Sequence, residues 1–208
     1  MVRRTRQEAL QTRQSILDGA LEVFMEQGFQ RCSMQDVADR AGVTRGAVYW
    51  HFRDRFDLLE ALLDTTQLPW EVLKPWERAP SVATPAMPLR HMLARMATAP
   101  LAWLEGSQPT QQVLRILGQV SEPEGTAPLV ARLDADRSAG LQCLQSALAQ
   151  GAAKGDLRSG ADPATAALGL FALVDGLMHQ WLRQPAAFGL AAVGTQAVQS
   201  HLAGLLAA

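Results

Sequence analysis

The sequence predicts an all-α protein of about nine helices, and three observations point to this fold class. In the first predicted helix, apolar residues such as Ile16, Ala20 and Phe24 recur at helical spacing. The chain is rich in Ala, Leu, Gln, Arg and Glu, and no segment shows the sustained alternation of polar and apolar residues that is typical of a strand. Glycine and proline divide the chain into segments of helical length.

The first four predicted helices follow one another closely in the N-terminal part of the chain. The first runs from Thr5 to Gln27. Ser33 and Asp36 form a capping-box pattern that starts the second helix, with a hydroxyl at the cap and a carboxylate three residues later. Thr44 and Asp54 have side chains that can cap the third and the fourth helix.

Proline is frequent between Leu68 and Pro88, so this segment must interrupt the helices. It also contains Trp70 and Trp76, which we expect to be lid or core residues. Beyond it, further helices are predicted at roughly 88–105, 109–121, 126–153, 162–184 and 190–206.

Composition excludes several classes of protein. Residues 1–55 carry nine arginines against seven acidic side chains, whereas the whole chain has a net charge of -1, so the N-terminal part is mildly basic and compatible with nucleic-acid binding. Cys32 and Cys143 lack the spacing of a zinc site or a redox pair. No apolar run reaches the ~18 residues of a membrane span, and no signal peptide opens the chain. We therefore expect a cytoplasmic protein without a membrane partner.

The sequence shows none of the residue patterns that are typical of enzymes. It has no Ser or Cys nucleophile in a plausible His/Asp setting, and no glycine-rich loop that could hold a phosphate. Asp175 and His179 are four residues apart, but no third ligand follows at the spacing of a metal site. We expect no catalysis, no cofactor and no metal.

Residues 35–52 contain the pattern of a helix-turn-helix. Ala38 and Ala41 are small enough to let two helices cross, and Gly42 permits a tight turn between them. Val43 and Val48 can fill the angle between the two helices. In this motif the second helix enters the major groove of DNA, so the pattern predicts a DNA-binding head.

The polar residues of the predicted second helix suit a DNA groove. Thr44 and Arg45 lie at its N-terminal end, and Arg45 can form two hydrogen bonds with a guanine. Ala47 offers a methyl contact to thymine, while Tyr49 and His51 can donate hydrogen bonds to phosphates. The alternative is a surface helix whose polar residues are only solvated.

Residues 1–63 resemble the tetracycline-repressor (TetR) family of regulators, and within it the repressors of multidrug efflux pumps. The resemblance is carried by residues 2–6, by Gly28 and above all by the run AGVTRGAVYWHF at 41–52. It implies an all-α homodimer with a three-helix DNA-binding domain at residues 1–55. It also implies a helical effector-binding and dimerisation domain at residues 56–208.

The resemblance extends the set of expected DNA contacts. Ser33 and Arg55 match positions at which the family contacts phosphate. Arg3 and Arg4 precede the first helix and have no apolar pattern to anchor them, so we expect a flexible basic arm that contacts phosphates or the minor groove.

The predicted effector pocket lies in the second domain. Residues 171–182 resemble the penultimate helix of efflux repressors, and Asp175 lies there among apolar residues, where it could hydrogen-bond an effector. The alternatives for Asp175 are a structural cap or a salt bridge across the dimer. Methionines suit adaptable pockets, although an ordinary core uses them as well. The predicted pocket residues are Met92, Met96, Phe171, Val174, Asp175, Met178 and His179.

The last two predicted helices carry more apolar surface than one protomer easily covers. Pairing both with their two-fold mates would make a four-helix bundle, as the family resemblance also implies. The alternative is that the apolar stripes pack inward. The predicted interface residues are Gly176, Trp181, Val198, Leu202 and Leu205.

The sequence thus predicts a ligand-responsive transcriptional repressor. We expect it to bind a palindromic operator in double-stranded DNA as a homodimer, to release it when a small hydrophobic effector binds, and to control a multidrug efflux operon. One alternative is a TetR-like regulator that answers an endogenous metabolite or lipid. Another is a helical ligand-binding protein without DNA binding.

Overall fold

The computed structural model describes residues 6–77, 87–120 and 125–207, and it confirms the predicted all-α fold. Within these ranges no strand forms, and one isolated antiparallel bridge joins Leu157 to Leu206. None of the described helices is both long enough and apolar enough to span a membrane. The helices are α1 (Arg6–Gln27), α2 (Met34–Ala41), α3 (Arg45–His51), α4 (Arg55–Asp64), the single turn α5 (Lys74–Glu77), α6 (Leu89–Gly106), α7 (Gln108–Leu117), α8 (Ala127–Ala153), α9 (Pro163–Arg183) and α10 (Leu190–Leu205).

Residues up to Thr66, together with residues 112–131, form the first of two compact units. In this unit α1 packs against α2 so closely that a Cβ at Gly19 would lie 3.1 Å from the backbone nitrogen of Ala41. The unit continues to Thr66 instead of ending at residue 55, because α4 buries Leu58 and Leu59 completely. Its core contains Ile16, Leu17, Phe24, Phe29, Val37, Val48, Phe52, Leu58 and Leu63.

The second compact unit contains residues 67–111 and 132–208. Its central helix, α6, packs against α9, α10 and the 3-10 helix Pro69–Leu73. The carboxylate of Glu105 on α6 accepts hydrogen bonds from the backbone nitrogens of Leu190 (2.6 Å) and Ala191 (3.2 Å), and so caps the N-terminus of α10. The core of this unit contains Leu93, Met96, Ala97, Leu101, Leu104, Leu144, Leu148, Leu170, Val174, Val198 and Leu202.

Candidate functional site

The turn between α2 and α3 fixes the direction of α3. Gly42 ends α2 in a left-handed conformation (φ 67°, ψ 30°), which glycine adopts without a steric penalty. The backbone nitrogen of Val43 donates to the carbonyl oxygen of Ala38 at 3.0 Å, which closes the turn. The hydroxyl of Thr44 then accepts a hydrogen bond from the backbone nitrogen of Ala47 at 3.1 Å and caps α3. The predicted helix-turn-helix geometry is therefore present.

One side of α3 is buried and the other presents polar and aromatic groups. Val48 is completely buried, whereas Thr44 and Arg45 are exposed and Tyr49 keeps 45% of its surface exposed. The guanidinium of Arg45 lies 5.3 Å from the ring centroid of Tyr49, and it donates a 3.3 Å hydrogen bond to the Tyr49 hydroxyl. This contact holds a cation and a hydroxyl side by side on the open face of the helix.

Trp50 is a candidate DNA-contact residue that our sequence analysis did not select. Its indole keeps 73% of its surface exposed and lies edge-on to the ring of His51, with centroids 4.4 Å apart. Together with Ala9 and Ala47, these two residues line a hollow of about 300 Å³. The helical period could have identified it, because a residue two positions after the buried Val48 lies on the opposite side of the helix.

Two predicted phosphate contacts have partners within the first unit. The hydroxyl of Ser33 caps α2 by accepting from the backbone nitrogen of Asp36 at 3.2 Å, and it donates to the Asp36 carboxylate at 2.6 Å. The guanidinium of Arg55 donates to the carbonyl oxygen of Gln30 at 2.9 Å and lies over the rings of Phe29 and Phe56. A phosphate would have to share Arg55 with these groups, so its contact with DNA stays a prediction.

The basic arm and Cys32 are two further features of the N-terminal part of the chain. Arg3 and Arg4 of the predicted arm lie outside the described residues. Burial raises the pKa of the Cys32 thiol to about 11, with a smaller contribution from Asp36. Cys32 therefore stays protonated at neutral pH and lacks the thiolate character of a redox-sensing cysteine.

The structure places the residues predicted for the effector pocket in different surroundings: in an ion pair, in the core and at a cavity. Asp175 forms an ion pair of 2.9 Å with Arg137, whose guanidinium lies 5.6 Å from the Phe171 ring centroid, while His179 is exposed. Val174, Met178 and Met96 are buried. Met92, by contrast, lines a cavity of about 500 Å³ between the start of α6 and the ends of α8 and α10, whose lining includes no α9 residue.

A second polar cluster lies inside the second unit, around Trp70. The Trp70 indole stacks on Phe171, with centroids 4.6 Å apart and planes 22° apart. The backbone nitrogen of Trp70 donates to the carboxylate of Asp136 at 3.3 Å. Burial and, to a smaller extent, the negative charge of Glu71 raise the pKa of Asp136 to about 7. The hydrogen bond from the Trp70 backbone nitrogen and the positive charges of Arg132 and Lys74 act in the opposite direction.

Comparison with known proteins identifies the family. The family model for bacterial regulatory proteins of the tetR family matches residues 16–62, and the model for the BetI-type transcriptional repressor C-terminal domain matches residues 92–207. This chain belongs to the tetR family. This tetR-family regulator is 31% identical to the HTH-type transcriptional repressor BepR of Brucella suis. The similarity covers 99% of this chain and 97% of BepR.

Solved structures of tetR-family repressors match the whole fold. NalD, the secondary repressor of the MexAB-OprM multidrug efflux pump in Pseudomonas aeruginosa, superposes with a TM-score of 0.77 at 30% identity, covering 97% of this chain and 98% of NalD. SmeT of Stenotrophomonas maltophilia, in its complex with triclosan, gives a TM-score of 0.71 at 30% identity, covering 95% of this chain and 92% of SmeT. The predicted family and fold are confirmed.

The structure corrects part of the dimer interface that we predicted for this regulator. Val198 and Leu202 are completely buried because α10 packs against α6 and α9 of its own protomer, so the prediction is wrong for these two side chains. Trp181 is also buried, and its indole N–H donates to the carbonyl oxygen of Phe188 at 3.1 Å. Leu205 is half-buried, and Gly176 lies on the exposed face of α9.

The raised pKa of Asp136 predicts an unusual dependence of stability on pH. The carboxyl titrates at 3.8 in the unfolded chain and at about 7 in the folded protein, so the folded state binds an extra proton between these values. Stability therefore falls as pH rises through this interval. Asp136→Asn cannot ionise, so we expect it to raise the free energy of unfolding at about pH 8, relative to its effect at about pH 5, by a few kcal/mol at most.

Urea denaturation at the two pH values measures this difference. Asp134→Asn, at an exposed position on the same helix, is the matched control and should show no such dependence. An effect of Asp136→Asn that is the same at both pH values would contradict the raised pKa.

Proposed function

We propose that this protein is a ligand-responsive transcriptional repressor that binds a palindromic operator as a homodimer. The observation that carries the proposal is the open face of α3, where Arg45, Tyr49 and Trp50 are exposed on a helix whose other side is anchored by Val48. A helix-turn-helix presents this face to the major groove. The similarity to BepR along nearly the whole chain supports the same conclusion.

Each predicted contact residue on α3, together with Trp50, has a role in this proposal. Arg45 hydrogen-bonds the O6 and N7 of a guanine, and Ala47 contacts a thymine methyl. Tyr49 and His51 donate to phosphates, which fix the register of the protein on the duplex. Trp50, with its large exposed indole, packs against the sugar-phosphate backbone next to them.

The genes under control are proposed from the relatives. NalD is named as a repressor of a multidrug efflux pump, and SmeT has been captured with triclosan, a small aromatic molecule. We therefore propose that the operator lies upstream of an efflux operon and that a small, largely apolar effector releases the repressor. An endogenous metabolite as effector is the second candidate, and neighbourhood with a catabolic operon would favour it.

Release follows from linkage between two binding sites. In the DNA-competent dimer the two α3 helices match successive major grooves, about 34–36 Å apart. An effector that binds better to a dimer with another spacing shifts the population toward that state. The factor by which the effector weakens DNA binding must equal the factor by which DNA weakens effector binding.

Dimerisation is proposed through the exposed sides of α9 and α10. On α9, Leu168 keeps 55% of its surface exposed and is followed at helical spacing by the exposed Ala172 and Gly176. On α10, Val193 keeps 40% of its surface exposed. Small residues next to exposed apolar ones allow two helices to approach closely, so these surfaces suit a four-helix bundle with the two-fold mate.

Substitution of Arg45 tests the role of α3 in reading DNA. Arg45→Ala is expected to weaken binding to the operator by ~1–3 kcal/mol while changing affinity for scrambled DNA less, because a guanine contact is specific. Arg45→Lys keeps the charge but loses the bidentate hydrogen-bonding geometry of the guanidinium. It should therefore also lose most of the preference for the operator over scrambled DNA. Fluorescence anisotropy with the protein's own upstream region measures both.

The control for this experiment is Arg90→Ala, which removes the same charge from an exposed position of α6. It should leave both affinities unchanged. Equal losses on operator and scrambled DNA for Arg45→Ala would show that Arg45 contacts only phosphate, and wild-type protein without operator affinity would overturn the proposed function.

Substitution of Gly176 tests the proposed dimer surface. A Cβ at this position meets no atom of the described residues of the protomer within 4 Å, so Gly176→Arg is compatible with a folded monomer. In the bundle the arginine would bury an unpaired charge or separate the helices, at a cost of several kcal/mol. We expect the variant to elute as a monomer and to lose operator affinity, because one head makes half of the contacts.

Gly106→Arg is the matched control, because Gly106 is also exposed and a Cβ there would meet no atom within 4 Å in the described part of the chain. It should remain dimeric in gel filtration. A Gly176→Arg variant that stays dimeric with full affinity would place the interface elsewhere.

A further inference from the structure

Two buried polar atoms around Trp70 have no hydrogen-bond partner in the part of the chain that the structure describes. These are the indole Nε1 of Trp70, a residue that is 2% exposed, and Oδ1 of Asp136, a residue that is 8% exposed. They belong to neighbouring groups, because the other carboxylate oxygen of Asp136 accepts from the backbone nitrogen of Trp70. Buried donors and acceptors are rarely left unsatisfied, so this donor and this acceptor call for a partner.

The packing of Trp70 prevents the indole from satisfying itself by a small rotation. On one side a Cβ at Gly140 would lie 2.6 Å from ring atoms, so the backbone of α8 closely approaches the indole. The Phe171 ring stacks on Trp70 at 4.6 Å. Asp136 and Gly140 are one turn apart on α8, so the carboxylate and the indole are positioned by the same helix face.

Among the described residues, no cation is paired with Asp136 itself. The titratable groups in the described part of the chain that act on its carboxylate are Glu71, Lys74 and Arg132. Both cations are bound by Glu71, since Lys74 lies 2.7 Å and Arg132 2.9 Å from the same oxygen of Glu71. Arg137 on the same helix is paired with Asp175. A cationic group from outside the protein would therefore supply what the local residues do not.

We propose that Trp70 and Asp136 bind the polar end of the effector, and that this end carries a protonated amine next to a hydrogen-bond acceptor. The inference rests on the proposed function, because it names the ligand class of the proposed regulator. The ammonium donates to Oδ1 of Asp136, and the acceptor receives the indole N–H of Trp70. An anionic compound is disfavoured, because the carboxylates of Asp136 and Glu71 repel it.

Three probes with one aromatic body test the charge preference. They are 2-(1-naphthyloxy)ethylamine, 2-(1-naphthyloxy)ethanol and (1-naphthyloxy)acetic acid, which share the ether oxygen and differ in the terminal group. Calorimetric titration of the full-length protein without DNA should give an affinity for the amine at least about tenfold above that for the alcohol, because hydrogen bonds between charged groups are the stronger ones. The acid should show no saturable binding.

Variants assign the preference to the two residues. Asp136→Asn is expected to lower the affinity for the amine by about tenfold or more and to leave the alcohol nearly unchanged, whereas Asp134→Asn should change neither. Trp70→Phe keeps an aromatic ring on Phe171 but removes the indole N–H, so it should weaken both the amine and the alcohol by a similar factor. Urea denaturation of each variant confirms that it is folded.

The pH dependence gives a second, independent readout. The amine stays protonated between about pH 6 and about pH 8, and it selects the ionised form of Asp136, so wild-type affinity should rise across this interval. The alcohol should show a much smaller change, and Asp136→Asn should remove the rise for the amine.

Two results would overturn the inference: equal affinity of wild-type protein for amine and alcohol, or undiminished amine binding by Asp136→Asn. Absence of binding by all three probes would overturn it as well, and would leave water as the partner of the two buried atoms. Operator binding measured without any probe separates this failure from that of the proposed function. A chain that binds its operator but none of the probes remains a repressor with another effector class.

Discussion

The candidate DNA-binding surface depends on one orientation of α3, a helix of only seven residues. An isolated helix shorter than ~12–15 residues is marginal in water, so α3 depends on its surroundings to form. Val48 anchors its inner side in the core of the first unit, Thr44 caps its start, and the left-handed Gly42 sets the angle at which the chain enters it. With that side fixed, Arg45, Tyr49 and Trp50 can only face outward, which makes them available to a DNA groove.

The two helical units differ in what their interiors contain. In the first, the ring of Phe29 packs against those of Phe24 and Phe56, and this packing suits a rigid DNA-binding head. In the second, Asp136 and the Trp70 indole each have a buried polar atom without a hydrogen-bond partner among the described residues. Burial of an ionisable carboxyl lowers stability near neutral pH. Such a trade-off between stability and function is common at functional sites.

The parts of the fold that local sequence determines were predictable. Ser33, Thr44 and Asp54 cap their helices as expected, since capping needs only a hydroxyl or carboxylate beside the first turn. The orientation of α10 was not, because an alanine-rich helix is apolar on several sides and periodicity cannot say which side meets a partner. The contact between Trp70 and Asp136 joins residues 66 positions apart, and the charged run around Asp136 is typical of a solvated helix face.

In the proposed complex, two copies of α3 read adjacent major grooves of one operator. Dimethyl sulfate protection of the protein's own upstream DNA tests it directly, because the reagent methylates guanine N7, the major-groove atom that Arg45 is proposed to contact. We expect two clusters of protected guanines on one side of the duplex, centred about 10–10.5 base pairs apart or a multiple of that distance. Protection confined to adenine N3 in the minor groove, or a single cluster at saturating protein, would contradict it.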